Sequence, residues 1–184
     1  KILSPTGGAG TYAAPRAVGT DAAGNVFVAG EFQGNLTVPS GTLTSAGIDV
    51  IVAKLDPGFN ILWAKRFGDN AYQAAYGLAV DAAGDVLVTG EALGAVNFGG
   101  ADVGGGGSSN VFVAKLKGSD GAHVWSKSFG DAAGVQIGRG IAVDPSGNAY
   151  VCGSFTGNID FGGGNLPKGG GTDAFLAKLG GASG

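Results

Sequence analysis

Short runs of apolar residues, separated by glycine-rich turns, recur along the whole chain and predict many short β-strands. Within residues 77–129 the runs fall at 77–81, 86–90, 111–116 and 123–129. Apolar side chains occupy consecutive positions in these runs, which is typical of strands buried on both faces. The pattern predicts four strands, A to D, joined in sequence order as a meander, and no segment shows sustained helical periodicity.

Three sequence markers repeat with nearly the same period. The turn Asp-x-x-Gly-(Asn/Asp) recurs with spacings of 60 and 63 residues, beginning at Asp21, Asp81 and Asp144. A strand marker recurs with spacings of 61 and 63, as DVIVAKL at 49–55, NVFVAKL at 110–116 and DAFLAKL at 173–179. A third recurs with a spacing of 62, as WAKRFGD at 63–69 and WSKSFGD at 125–131. The shared period defines three copies of one structural unit.

Repeated four-stranded units that are buried on both faces predict a β-propeller, whose blades are four-stranded antiparallel sheets. A β-helix would use much shorter coils, and an immunoglobulin-like sandwich would not repeat three times. We therefore expect an all-β propeller region over residues 1–184. Its predicted parts are residues 1–7, a strand D that completes a blade; 15–68, blade 1; 75–130, blade 2; and 138–184, strands A–C of blade 3.

The markers also resemble a known repeat family. Asp-x-x-Gly-Asn-x-(Tyr/Phe)-Val-x-Gly, then Asp-x-Phe-(Val/Leu)-Ala-Lys-Leu, then Trp-x-Lys-x-Phe-Gly, resembles the SBBP repeat of bacterial surface and secreted proteins, a seven-bladed β-propeller type. The resemblance implies a propeller and an extracellular or cell-surface location. It implies no catalytic set, and the three units of this chain differ from the family's nominal seven blades.

Three blades do not close a ring, because propellers use about 4–8 blades. Two chains could form a six-bladed ring, with the N-terminal strand of each completing the last blade of the other. Alternatively, the chain is part of a longer protein, which its first residue, lysine instead of methionine, also fits. We favour a homodimer, because the offset between the two ends suits a closing strand.

Composition and charge restrict the classes of partner. Glycine accounts for 39 of 184 residues, which fits many tight turns. A net charge of −3 without a basic cluster argues against nucleic acid, and no apolar run approaches the roughly 18 residues of a membrane helix. The one cysteine, Cys152, excludes an internal disulfide. It occupies the position of Ala29 and Thr89, so we expect a small core residue.

Most repeated polar and aromatic residues have a structural explanation. The Asp-x-x-Gly segments lack the D-x-[DN]-x-[DN]-G pattern of a calcium loop, so they predict turns, and we expect neither a metal nor a cofactor. Lys54, Lys115 and Lys178 recur inside strand C, where a lysine stem lies along apolar surface. Trp63 and Trp125 are expected to fill space between blades. No catalytic constellation forms around Cys152 or His123, the only histidine, so no catalytic residue is predicted.

One register of polar residues is a candidate ligand site. Arg16, Tyr76 and Arg139 occupy the same place near the start of strand A, and Gln73 and Gln136 align three residues earlier. Strand A is innermost in a propeller, so these side chains would converge on the mouth of the channel. Guanidinium groups suit a carboxylate, phosphate or sulfate, which predicts an anionic small molecule or sugar acid. The alternative is that the arginines bind backbone carbonyls or a nearby aspartate.

We expect a non-enzymatic, extracellular binding or scaffold module. Its longer B–C and D–A loops share one propeller face and would contact a protein or glycan partner. A propeller-type hydrolase or lyase with a site at the channel mouth is one alternative, although a single histidine disfavours it. The other is a purely structural, designed or truncated propeller fragment that self-assembles.

Overall fold

A computed structural model describes residues 4–184, and every regular element in this range is a β-strand. The predicted all-β class is confirmed, and the described residues contain no helix that is long and apolar enough to cross a bilayer. The strands, in chain order, are β1 (Tyr12–Thr20), β2 (Val26–Gln33), β3 (Asn35–Val38), β4 (Gly41–Thr44), β5 (Asp49–Leu55), β6 (Ile61–Phe67), β7 (Gln73–Val80), β8 (Val86–Ala92), β9 (Ala95–Asn97), β10 (Asp102–Gly104), β11 (Asn110–Leu116), β12 (His123–Phe129), β13 (Gln136–Val143), β14 (Ala149–Phe155) and β15 (Asp173–Leu179).

These strands form three antiparallel sheets and two hairpins. Sheet 1 has the order β1-β2-β5-β6, sheet 2 the order β7-β8-β11-β12 and sheet 3 the order β13-β14-β15. The pairs β3-β4 and β9-β10 form hairpins between the second and third strands of sheets 1 and 2. In sheet 3 the corresponding segment has a single bridge between Asp160 and Asn165.

The repeated Asp-x-x-Gly segment forms a tight turn between the first two strands of each sheet. One carboxylate oxygen of Asp21 accepts hydrogen bonds from the backbone N–H groups of Ala23 and Asn25, at 3.0 and 2.9 Å. Gly24 has a φ of +80°, which favours glycine. The same two bonds recur at Asp81 and Asp144. The aspartate carboxylate therefore stabilises the turn, and the predicted turns are confirmed.

Two apolar cores join the three sheets face to face. The first includes Phe27 and Val52 of sheet 1 and Phe112 of sheet 2. The second includes Val113 of sheet 2 and Phe175 of sheet 3. In both cores the first strand of one sheet packs against the preceding sheet, so the two interfaces are repeats of one another.

The two tryptophans connect neighbouring sheets in the same way. The Trp63 indole N–H donates to the carbonyl of Gly118, and that of Trp125 donates to the carbonyl of Gly181, each at 3.1 Å. Both rings are buried, at 8% and 6% exposure. Their predicted role, filling the space between repeats, is confirmed.

One face of sheet 3 is open to solvent. Cys152 is exposed, whereas Ala29 and Thr89 at the same position are fully buried. The prediction that Cys152 lies in the core is therefore wrong. The physical reason is that no sheet within residues 4–184 covers this face of sheet 3.

The predicted strand over residues 1–7 falls partly outside the described residues, since the description begins at residue 4. Within it, Thr6 forms one antiparallel bridge with Asn35 at the start of β3. Completion of a blade by this segment stays a prediction, and so do the blade boundaries.

Candidate functional site

The first strand of each sheet carries a β-bulge at the position of the predicted ligand register. The pairing with the second strand shifts by one residue at each site, and the residues left out of the ladder are Arg16, Tyr76 and Arg139. Bulges redirect a side chain and are frequent beside functional sites. The register found in the sequence is thus a repeated backbone feature as well.

A glycine on the second strand makes each bulge possible. A Cβ atom at Gly30, Gly90 or Gly153 would lie 2.1, 1.9 or 1.9 Å from a carbonyl oxygen of the bulged strand. No side chain fits at such distances, so the glycines that end VAG, VTG and VCG are required by close backbone contact.

The residue after each of these glycines determines what the bulge residue binds. In sheet 1 this residue is Glu31, which is 1% exposed and accepts hydrogen bonds from Arg16 at 2.6 to 3.2 Å. The hydrogen bond to Glu31 raises the pKa of the Arg16 guanidinium, so Arg16 stays positively charged. Glu31 also contributes, after burial, to a raised pKa for nearby Tyr12.

In sheet 2 a tyrosine and a glutamate take the same two places. The Tyr76 hydroxyl donates to Glu91 at 2.6 Å and lies 2.9 Å from the Tyr72 hydroxyl. The Ser109 hydroxyl donates to the second oxygen of Glu91 at 2.8 Å. Burial, and then the hydrogen bond to Glu91, raise the pKa of Tyr76. Tyr76 therefore keeps its proton at neutral pH and acts as a donor.

Sheet 3 breaks this pattern, because Ser154 stands where the other sheets have a glutamate. The guanidinium of Arg139 is exposed and lies over the Tyr76 ring, 5.0 Å from its centroid. Among residues 4–184 it makes no ion pair and no side-chain hydrogen bond. Arg139 is therefore a cation whose fork of N–H donors is open to solvent.

The structure places Gln73 and Gln136 differently from the bulge residues. Both are fully buried. The Gln73 amide donates to Asp69 at 2.5 Å, and the Gln136 amide donates to Asp131 at 3.1 Å. These hydrogen bonds hold the loop that leads into each first strand. Ligand contact by any of the five predicted residues stays a prediction.

Sequence reasoning missed the two glutamates and the tyrosines Tyr12 and Tyr72. A signal for the glutamates was present, since GEF at 30–32 and GEA at 90–92 align with GSF at 153–155. The pairing of Glu31 with Arg16 follows only from the strand register. The contact between the Tyr72 and Tyr76 hydroxyls likewise depends on the direction that the bulge gives to the Tyr76 side chain.

The remaining predicted structural residues make local contacts. Lys54 pairs with Asp21 at 3.2 Å, and Lys115 pairs with Asp81 at 2.7 Å, so these lysines fix the turns. A ring nitrogen of His123 lies 3.0 Å from the Ser126 hydroxyl. No group of three or more His, Cys, Asp or Glu side chains within residues 4–184 is arranged to hold a metal ion.

Comparison with known proteins gives one family match. No curated protein matches the chain significantly. The family model of the SBBP beta-propeller repeat matches residues 124–160, which run from β12 through β13 and β14. This segment contains Arg139 and its bulge. Residues 124–160 therefore match the SBBP β-propeller repeat, the family that the repeated motifs resemble.

Proposed function

We propose that the chain is a β-propeller binding module in which sheets 1, 2 and 3 are three consecutive blades. The meander order of each sheet and the repeated face-to-face packing support this architecture, as does the SBBP repeat match. In a ring built from this segment alone, self-association supplies the further blades. The family resemblance supports an extracellular or cell-surface location.

We further propose that the module binds an anionic ligand without catalysis, at the bulge residues of the first strands. The observation that carries this proposal is the change from glutamate to Ser154, which leaves Arg139 without the carboxylate that pairs with Arg16 in sheet 1. An arginine fork held over an aromatic ring suits bidentate binding of a carboxylate.

The neighbouring groups favour a sugar acid over a simple inorganic anion. Beside the cation, the cluster offers tyrosine hydroxyls at Tyr72 and Tyr76 and carboxylate oxygens at Glu91. A sugar acid brings one carboxylate for Arg139 and several hydroxyls that donate and accept hydrogen bonds. The longer loops of the same region would enclose the rest of a glycan or protein partner.

The hydrolase or lyase alternative has less support. A general base must take up a proton near neutral pH, but the raised pKa of Tyr76 describes a group that keeps its proton. Both oxygens of Glu91 already accept hydroxyl protons. The cluster is arranged for hydrogen bonding instead of proton transfer.

Calorimetric titration with glucuronate tests this function, with glucose as the neutral control ligand. We expect millimolar or tighter binding of glucuronate only, and a loss of about tenfold or more in Arg139→Gln, as for a charged hydrogen bond. Lys117→Gln removes an exposed charge elsewhere and should bind like the unaltered protein. Equal affinity in Arg139→Gln, or equal binding of glucose, would contradict the proposal.

A further inference from the structure

We propose that the outer face of sheet 3 docks onto the outer face of sheet 1 of a second copy, so that two chains close one ring. This proposal rests on the propeller architecture proposed above and not on the ligand. The docking repeats the packing that joins sheet 2 to sheet 3 inside one chain. It gives the proposed self-association a defined surface, partner and stoichiometry.

The outer face of sheet 3 carries side chains that are buried at the same positions in the other sheets. Leu176 is 74% exposed, whereas Val52 and Val113 at the aligned positions are fully buried. Cys152 is exposed in the same way. Leu176 and Cys152 are cross-strand partners, so they form one patch. This patch therefore has the composition of a sheet–sheet interface but no sheet packed against it within residues 4–184.

The outer face of sheet 1 offers the matching surface at its first strand, whereas its central residues Ile51 and Ala53 are already buried in a core with the β3-β4 hairpin. Val18 is 69% exposed, whereas Leu78 and Ile141 at the aligned positions pack into the two cores. An apolar cavity of about 310 Å³ opens beside it, lined by residues that include Val28 and Phe59. Exposed apolar surfaces of this kind mark interaction sites.

The number of copies follows from the number of sheets. Residues 4–184 supply three sheets, and closed propellers use about 4–8 blades, so a ring built only from copies of this 184-residue segment has six. The contact joins two different faces, and such a head-to-tail interface either closes into a ring or extends into a filament. Two copies give the closed form.

The internal interface predicts one contact in atomic detail. A Cβ atom built at Gly138 of sheet 3 would lie 2.2 Å from the Thr89 hydroxyl oxygen of sheet 2. Pro15 aligns with Gly138, and Cys152 aligns with Thr89. Docking by the same packing therefore brings the side chain at position 15 of one copy into direct contact with that of Cys152 of the other, which is the neighbourhood that a disulfide between them needs.

Cross-linking of the 184-residue chain tests this contact. Under mild oxidation, Pro15→Cys should give a disulfide-linked dimer on non-reducing gels. Two controls should stay uncross-linked: Ala22→Cys, whose thiol lies in an exposed turn, and Pro15→Cys/Cys152→Ala. A ladder of longer multimers would overturn the two-copy ring, and failure of Pro15→Cys to cross-link above the Ala22→Cys background would overturn the docking.

Light scattering and thiol labelling test the unaltered protein independently. We expect twice the chain mass of 17.8 kDa and at least about tenfold slower labelling of Cys152 than in Leu176→Lys, whose charge would open the interface. A monomer with fully reactive Cys152 would refute the docking. Because no ligand is used, this outcome is distinguishable from failure of glucuronate binding, which leaves the docking unaffected.

Discussion

Replacement of Gly90 by alanine should destabilise the protein far more than replacement of other glycines. The new Cβ would lie 1.9 Å from the carbonyl oxygen of Ala74. An ordinary carbon–oxygen contact needs about 3.3 Å, so the two strands must separate by roughly 1.4 Å. Overpacking costs about 1–3 kcal/mol, and each ladder hydrogen bond lost adds about 1 kcal/mol. We expect a decrease of about 3–4 kcal/mol in the free energy of unfolding.

Two matched glycines separate this contact from ordinary glycine effects. Gly84 has a φ of +82° and open space around its Cβ position, so Gly84→Ala should cost about 1 kcal/mol from backbone strain. Gly163 has neither constraint, and Gly163→Ala should be close to neutral. These values can be compared directly with that of Gly90→Ala.

Urea denaturation followed by tryptophan fluorescence measures all three variants. With a slope of about 2 kcal/mol per molar urea, Gly90→Ala should lower the midpoint by about 1.5–2 M. Its effect on the bulge should also displace Tyr76 and weaken glucuronate binding. The reasoning would be refuted if Gly90→Ala were no more destabilising than Gly84→Ala.

Three further predictions concern individual polar contacts. The hydrogen bond from the Asn25 side chain lowers the pKa of Asp21 to about 2. The Asp21 carboxylate therefore stabilises the folded state fully above the unfolded pKa of about 3.9, and this stabilisation is lost as the pH falls towards 2. Asp21→Asn should make the free energy of unfolding less dependent on pH across that interval. Arg66→Ser removes the cation that pairs with buried Asp49 and should cost about 2–3 kcal/mol by urea denaturation. Adding Asp49→Asn gives the uncharged residues that sheet 2 has at the aligned positions, Asn110 and Ser128, and should restore part of the loss. Tyr76→Phe leaves a buried glutamate oxygen without its donor and should cost about 1–3 kcal/mol, measured as a lower midpoint of thermal unfolding; an unchanged midpoint would contradict the hydrogen-bonded cluster.

Most of the fold was predictable from the repeat period, because turns, strands and buried residues recur at the same positions in each copy. Alternating turns and apolar runs predicted the four strands of sheet 2, and the structure pairs them in that order. The buried state of Trp63 was predictable because a large aromatic ring recurs at the same position in WAKRFGD and WSKSFGD. Cys152 shows the limit of this reasoning, since its burial depends on a neighbouring sheet and not on its own strand.

The candidate site was also predictable only in part. Alignment of the copies placed Arg16, Tyr76 and Arg139 in one register from sequence alone. It did not predict the bulges, because a one-residue shift in pairing leaves the apolar pattern of a strand almost unchanged.

By itself, then, the sequence determined the all-β class, the three repeats and the turns, because these depend on local backbone preferences and on the spacing of apolar residues. Only the tertiary structure decided that Glu31 pairs with Arg16, that Ser154 leaves Arg139 open, and that Leu176 of sheet 3 and Val18 of sheet 1 are exposed. These features arise where strands and sheets meet, and the distance between two side chains there depends on pairing register and packing.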